Sequence, residues 1–113
     1  MLKEYYINLD RCDWKREHMN NVFPNSTRIV AVDGKKETPE SILPYVADRE
    51  WRDPNWNRRL TKGEIGCVLS HIKAWKHIVK TNTPGIILED DVLITDPDYN
   101  SKTLTQIEKY DFV

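Results

Sequence analysis

Glu89, Asp90 and Asp91 follow one another directly after the apolar run Ile86-Ile87-Leu88. Three adjacent carboxylates repel each other, and a hard divalent cation with oxygen ligands is the counter-charge that suits them, so Mg²⁺ or Mn²⁺ would be at home there. Asn8 and Asp33 also close apolar runs, Tyr5 to Leu9 and Arg28 to Val32. In a parallel α/β sheet, ligands collect at the carboxyl ends of the strands, so three strand tips point to one crevice. The competing reading of the acidic trio is a solvated turn, because Asp is frequent in turns; the buried-strand character of Ile86-Ile87-Leu88 favours the site. His71 reads either as a hydrogen-bonded core histidine or as a contact to a phosphate. Glu64 is accounted for by helix capping, and Arg58 and Arg59 read as surface charge before a phosphate clamp.

The elements that must position these residues alternate. Tyr5 to Leu9 predicts a buried strand, Asp10 or Asp13 caps a helix reaching about Val22, and Arg28 to Val32 predicts a second strand ended by Asp33-Gly34. Strand, helix and strand within some thirty residues imply a right-handed βαβ unit with parallel strands. Pro39, Pro44 and Pro54 restrict the stretch from Lys35 to Arg59 to a short helix and loop. Thr61 as N-cap with Glu64 three residues on forms a capping box, with Leu60 and Ile65 placed as a hydrophobic staple. The helix that follows carries one apolar stripe at Val68, Leu69, Ile72 and Val79 and a second at Cys67, His71, Ala74 and Ile78. That leaves Ser70, Lys73, His77 and Lys80 for water, the pattern of a helix lying between layers. Ile86 to Leu88 predicts a strand buried on both faces. Asp96-Pro97-Asp98 turns the chain into a weak helix from Ser101 to Lys109 with Leu104 and Ile107 inward, and Tyr110 to Val113 reads as a strand cut short.

The 113 residues suit one domain, and 31% charged with 10% aromatic residues is ordinary for a folded protein. A formal net charge of -1 gives no basic face for nucleic acid, and no apolar stretch is long enough to span a bilayer. Neither polyanion nor membrane partners are indicated. The N-terminus lacks signal-peptide features, and Cys12 and Cys67 form no CxxC pair, so a cytoplasmic, reducing location is expected.

Four motifs in order resemble glycosyltransferase family 25, which includes bacterial lipooligosaccharide galactosyltransferases and collagen galactosyltransferase-like proteins. They are Tyr6-Ile7-Asn8-Leu9-Asp10-Arg11, Arg28 through Gly34, the helix Leu60-Thr61-x-Gly63-Glu64-Ile65-Gly66-Cys67-x-Leu69-Ser70-His71-x-x-x-Trp75, and Ile87-Leu88-Glu89-Asp90-Asp91. The last is similar to the Asp-x-Asp element of GT-A glycosyltransferases. The resemblance implies a GT-A-like, Rossmann-like α/β fold with a mostly parallel sheet and flanking helices. It also implies a UDP-sugar donor, often UDP-galactose, Mn²⁺ or Mg²⁺ on the diphosphate, and a glycan or hydroxylated acceptor. Asp91 is then the first metal ligand and Glu89 the second, with Asn8, Arg11, Asp33, His71 and Asp90 on the donor. Cys12 departs from the family, which often carries a basic residue there. Residues 1–113 are expected to be a single partial domain, the nucleotide-sugar-binding half, truncated at the C-terminus before the acceptor pocket and catalytic base. Two other readings stand beside this one: an inactive remnant or interaction module, and an Mg²⁺-dependent phosphoryl-transfer domain, the latter short of a Gly-rich phosphate loop.

Overall fold

The computed structural model describes residues 1–46 and 48–109. The chain runs β1 (Lys3–Asn8), α1 (Asp13–Val22), β2 (Thr27–Val30), two 3₁₀ turns (Gly34–Lys36 and Pro39–Tyr45), α2 (Lys62–Thr81), β3 (Gly85–Glu89) and α3 (Tyr99–Lys109). The strands form one sheet in the order β2-β1-β3. Both pairings are parallel, with Tyr5 beside Thr27 on one side and beside Ile87 on the other. This is the parallel, Rossmann-like α/β architecture expected. The strand expected at residues 110–113 lies outside the described residues.

Successive side chains of a strand point to opposite faces, and β1 is apolar on both. Tyr5 packs with Ile29 and Ala74 on the α2 side, joined by Ile7, Ile78 and Ile87. Tyr6 packs with Met19 and Phe23 on the α1 side, joined by Leu88, Val92 and Tyr99. The central strand therefore carries the core of both layers. β3, expected to be covered on both faces, is only partly buried and forms an edge among the described residues. Asn100, at the start of α3, is buried, accepts from the Leu2 N–H at 2.9 Å and donates from Nδ2 to the Leu2 carbonyl at 2.9 Å.

α2 starts where the capping box predicts: the Glu64 N–H donates to Thr61 Oγ1 at 3.2 Å and the Thr61 N–H to Glu64 Oε1 at 2.9 Å. It ends at Asn82, left-handed with φ 54°. Its facing is rotated from the expected one. Ile65, Gly66, Ser70 and Ala74 are buried, while Val68 and Val79 are exposed. Three small residues four apart let the helix backbone approach β2 closely, and Ser70 reaches both sides of the seam. Its Oγ donates to the Gly66 carbonyl at 2.6 Å and accepts from the Val32 N–H at 2.9 Å.

α1 also starts differently. Its N-cap is Cys12, with no side-chain cap bond. The expected caps are engaged elsewhere, Asp10 accepting from Arg28 Nη2 at 2.8 Å and Asp13 from Arg16 Nη2 at 3.1 Å. Among the described residues no helix is long and apolar enough to cross a membrane.

Candidate functional site

The tips of the parallel strands, the loops after β1 and β2, and the first half of α2 enclose a cleft of about 570 Å³. Arg11, Asp33, His71, Glu89, Asp90 and Asp91 all line it. Asn8 does not; it lies beneath, 1% exposed.

Asn8 explains how the acidic turn is held. Its Nδ2 donates to Asp90 Oδ2 at 2.9 Å and to the Cys12 carbonyl at 3.2 Å. Its Oδ1 accepts from Arg16 Nε at 3.1 Å and Arg28 Nε at 2.9 Å. Only a side chain with both a donor and an acceptor end can serve a carboxylate and two guanidinium groups at once, which makes asparagine the fitting residue. Asp90 is consequently turned inward, with Lys15 Nζ 3.8 Å from its Oδ1. Glu89, the last residue of β3, and Asp91, in the turn after it, stay exposed at the cleft. The trio thus divides into one anchoring carboxylate and two presented ones. Among the described residues no three His, Cys, Asp or Glu side chains converge to hold a metal ion unaided.

Across the cleft, Asp33 caps the first 3₁₀ turn, its Oδ1 accepting from the Lys35 N–H at 3.0 Å. Its Oδ2 pairs with Arg11 Nη1 at 2.6 Å. The Lys35 amide foremost, with the Arg11 charge behind it, holds the Asp33 carboxyl below the usual carboxylate range. His71 directs Nδ1 at the Cys67 carbonyl, 2.9 Å away. A carbonyl can only accept, so Nδ1 carries the proton in this contact, which leaves Nε2 as the ring nitrogen for a further partner.

Lys15, Lys35 and Lys62 also line the cleft, and nothing in the sequence reading singled them out. Lys62 and Gly63 could have been found, because the capping box places them in the first turn of α2, where free backbone N–H groups and the helix dipole favour anions. Gly34 and Gly66 let the loop after β2 lie against that turn: a Cβ on Gly66 would come within 2.8 Å of the Gly34 nitrogen.

The family model for glycosyltransferase family 25 (LPS biosynthesis protein) matches residues 1–113. A glycosyltransferase 25 family member from Drosophila melanogaster is 36% identical over 95 residues, covering 78% of this chain and 16% of that protein. Procollagen galactosyltransferase 2 of Mus musculus is 35% identical over 95 residues, 78% of this chain and 15% of its own length. A protein of Rattus norvegicus named "Probable inactive glycosyltransferase 25 family member 3" is 40% identical over 76 residues, 63% of this chain and 13% of its own. The aligned stretch therefore spans about a sixth or less of the length of these relatives. The full-length family match, and a cleft built from all four motifs, lead to one conclusion: the chain belongs to glycosyltransferase family 25.

Proposed function

We propose that the cleft binds the diphosphate of a UDP-hexose donor, with galactose as the hexose, in a GT-A-type site assisted by Mn²⁺ or Mg²⁺. The product would be a glycosylated hydroxyl on a glycan or protein-linked acceptor. The observation that carries this reading is the mixed charge of the cleft, where Glu89 and Asp91 are presented within a lining that also holds Arg11, Lys15, Lys35 and Lys62. A site for a cation alone or for a phosphate alone would carry mainly one sign. A cation complexed with a diphosphate needs both.

The residues fit such a cation. Mg²⁺-type ions bind through one or two carboxylates and complete their shell with water and substrate phosphate oxygens, so two presented carboxylates without a protein-only cage are the expected donor set. When bound, the ion supplies Lewis-acid stabilisation of the charge on the departing diphosphate. Asp91 is the first ligand in this reading and Glu89 the second. Lys35 and Lys62, with the first-turn amides of α2, orient the phosphate oxygens, and Arg11, freed from Asp33, can add a bidentate contact. Asp33 is then left to accept a hydrogen bond from a donor hydroxyl, and His71 Nε2 can do the same from the α2 side. Asn8 holds the acidic turn from beneath.

Calorimetric titration of UDP into the 113-residue chain tests this. Binding in Mn²⁺ should weaken at least about tenfold, or ~1.4 kcal/mol, on chelation or in Asp91→Ala. Binding indifferent to chelator removes the metal, and no binding removes the donor. A second reading, a donor-binding module without transfer, takes its support from the relative described as inactive, whose identity of 40% is no lower than that of the two others. Release of hexose from UDP-hexose by the purified chain would exclude it.

A further inference from the structure

The whole-chain charge of -1 conceals a one-sided face on α2. From Ile65 to Asn82 there is no acidic residue, and Lys73, Lys76 and Lys80 all occupy exposed positions. Spacings of three, four and seven residues set them in a single stripe. Beside it runs an apolar stripe of Val68, Ile72, Trp75 and Val79, of which Val68 is 38% exposed, Trp75 56% and Val79 78%. Tyr45, 48% exposed, extends this stripe from the neighbouring 3₁₀ turn and shares a groove of about 500 Å³ with Ile72, Trp75, Lys76 and Val79. Two of the lysines are held by neutral groups. Lys73 Nζ donates to the Val30 carbonyl at 2.7 Å, and Lys76 Nζ donates to Tyr45 Oη at 3.1 Å. Among the described residues, none of the ion pairs includes Lys73, Lys76 or Lys80.

We propose that this face of α2 docks on an anionic phospholipid surface, with Trp75, Val79 and Tyr45 entering the headgroup boundary and the lysine stripe meeting lipid phosphates. Three properties of the face select that occupant. Trp, Tyr and Val flanked by lysine is the composition of a helix lying in a membrane interface, where the long lysine stem keeps its ammonium among the headgroups. The contact surfaces of protein partners are instead depleted in lysine and enriched in arginine. Arg28 borders the stripe in a groove with Lys73, Lys76 and Lys80, but its guanidinium is held by Asn8 and Asp10, so the charge this face presents is that of lysine. A second copy packed symmetrically would set two uncompensated lysine stripes against each other. The expectation of no basic face, drawn from net charge, is corrected here: folding gathers positive charge that the acidic residues elsewhere cancel only in the sum.

The docking face adjoins the cleft without including its carboxylates. Cys67 and His71, which line it, lie one stripe further round the same helix, and the His71 ring stands 6.2 Å from that of Trp75. The proposal does not depend on what the cleft binds.

Co-sedimentation with vesicles tests it, using phosphatidylcholine alone and phosphatidylcholine with a quarter phosphatidylglycerol. The chain should pellet with the acidic vesicles and stay in solution with the neutral ones. Each lysine near a charged surface accounts for about a fivefold change in partitioning, so Lys76→Gln with Lys80→Gln should lower it about 25-fold. Trp75→Ser with Val79→Ser should abolish what binding survives in high salt. All four positions are exposed, so unchanged thermal unfolding confirms that each variant is folded. No pelleting with acidic vesicles, equal pelleting with neutral ones, or variants that pellet like the parent would overturn the proposal. So would sedimentation equilibrium showing a dimer that the Trp75 and Val79 substitutions dissociate, because the face would then belong to a second copy.

Discussion

Gly34→Ala should be among the most damaging single-methyl changes in this protein, and the reason is distance alone. The Gly34 backbone is not left-handed, so an alanine meets no conformational penalty there. Its Cβ, however, would stand 1.9 Å from the Lys62 carbonyl oxygen and 2.7 Å from the Lys62 carbonyl carbon. Ordinary contact begins near 3.4 Å, so the loop after β2 and the start of α2 must separate by about 1.5 Å. The obstacle is backbone, and the capping box fixes that backbone, so no side chain can swing aside. Overpacking of this kind costs about 3 kcal/mol, at the upper end of the usual range. For a domain of this size that lowers the melting temperature by roughly 15 °C. Gly63→Ala supplies the opposite sign from three residues before Gly66: nothing lies within 4 Å of its added methyl, so only the gain in helix propensity is left. That gain is about 0.5 kcal/mol, or an increase of a few degrees. Thermal unfolding followed by circular dichroism measures both. If Gly34→Ala melts within a degree or two of the parent, or if Gly63→Ala falls as far as Gly34→Ala, the close approach between the loop and α2 is not what holds the cleft together.

Substitutions at two further positions address the polar framework. Asn8→Ala removes the acceptor of two arginines and the donor of Asp90, which should cost about 2–3 kcal/mol in urea unfolding. Asn8→Asp keeps the acceptor but sets a second carboxylate against Asp90, so it should regain stability relative to the parent as pH falls and one of the pair takes up a proton; a deficit independent of pH would contradict this. Glu64 is held down to about 2 by its hydrogen bonds from Arg58 and then from Thr61, against an ordinary value of 4.5. A carboxyl depressed in the folded state stabilises above its unfolded pKa, so this contribution is complete above about pH 4.5 and fades as pH falls towards about 2. Glu64→Gln should flatten the fall in melting temperature across that window, and an unchanged slope would show the capping box to be electrostatically idle.

The sequence was most readable where one local rule had one solution. Thr61 and Glu64 satisfy each other within a single turn, so the start of α2 followed from the residues without knowledge of the fold. The facing of the same helix did not follow, because periodicity gives angles between side chains and says nothing of which sector meets the sheet. Large apolar residues suggested the Val68 side. Gly66, Ser70 and Ala74 took the buried position because small side chains allow a closer approach, and Ser70 could satisfy its hydroxyl within the seam. Asn8 illustrates a related limit. A polar residue at a strand tip looks the same in sequence whether it contacts a ligand or, as here, supports a neighbour from below. Asp33, Glu89 and Asp91 were legible as cleft residues since strand ends in parallel sheets converge. Lys15, Lys35 and Lys62 reach the cleft from three separate segments, which only the tertiary arrangement joins.

The order β2-β1-β3 also sets the sequence of assembly. β1 meets β2 across a short helical crossover, Tyr5 beside Thr27, but meets β3 across most of the chain, Tyr5 beside Ile87. Closing the longer loop costs more chain entropy and delays that contact, so the β1-α1-β2 unit forms first and β3 joins an already ordered edge. The acidic turn arrives with β3 and finds Asn8 only then. Pulse-labelled hydrogen exchange during refolding should protect the Tyr6 and Ile29 amides, which face the β1-β2 pairing, before those of Ile86 and Leu88, which face β1 from β3. Assembled in that order, the chain completes its cleft last, and ligands that need both of its walls can act only on the finished fold.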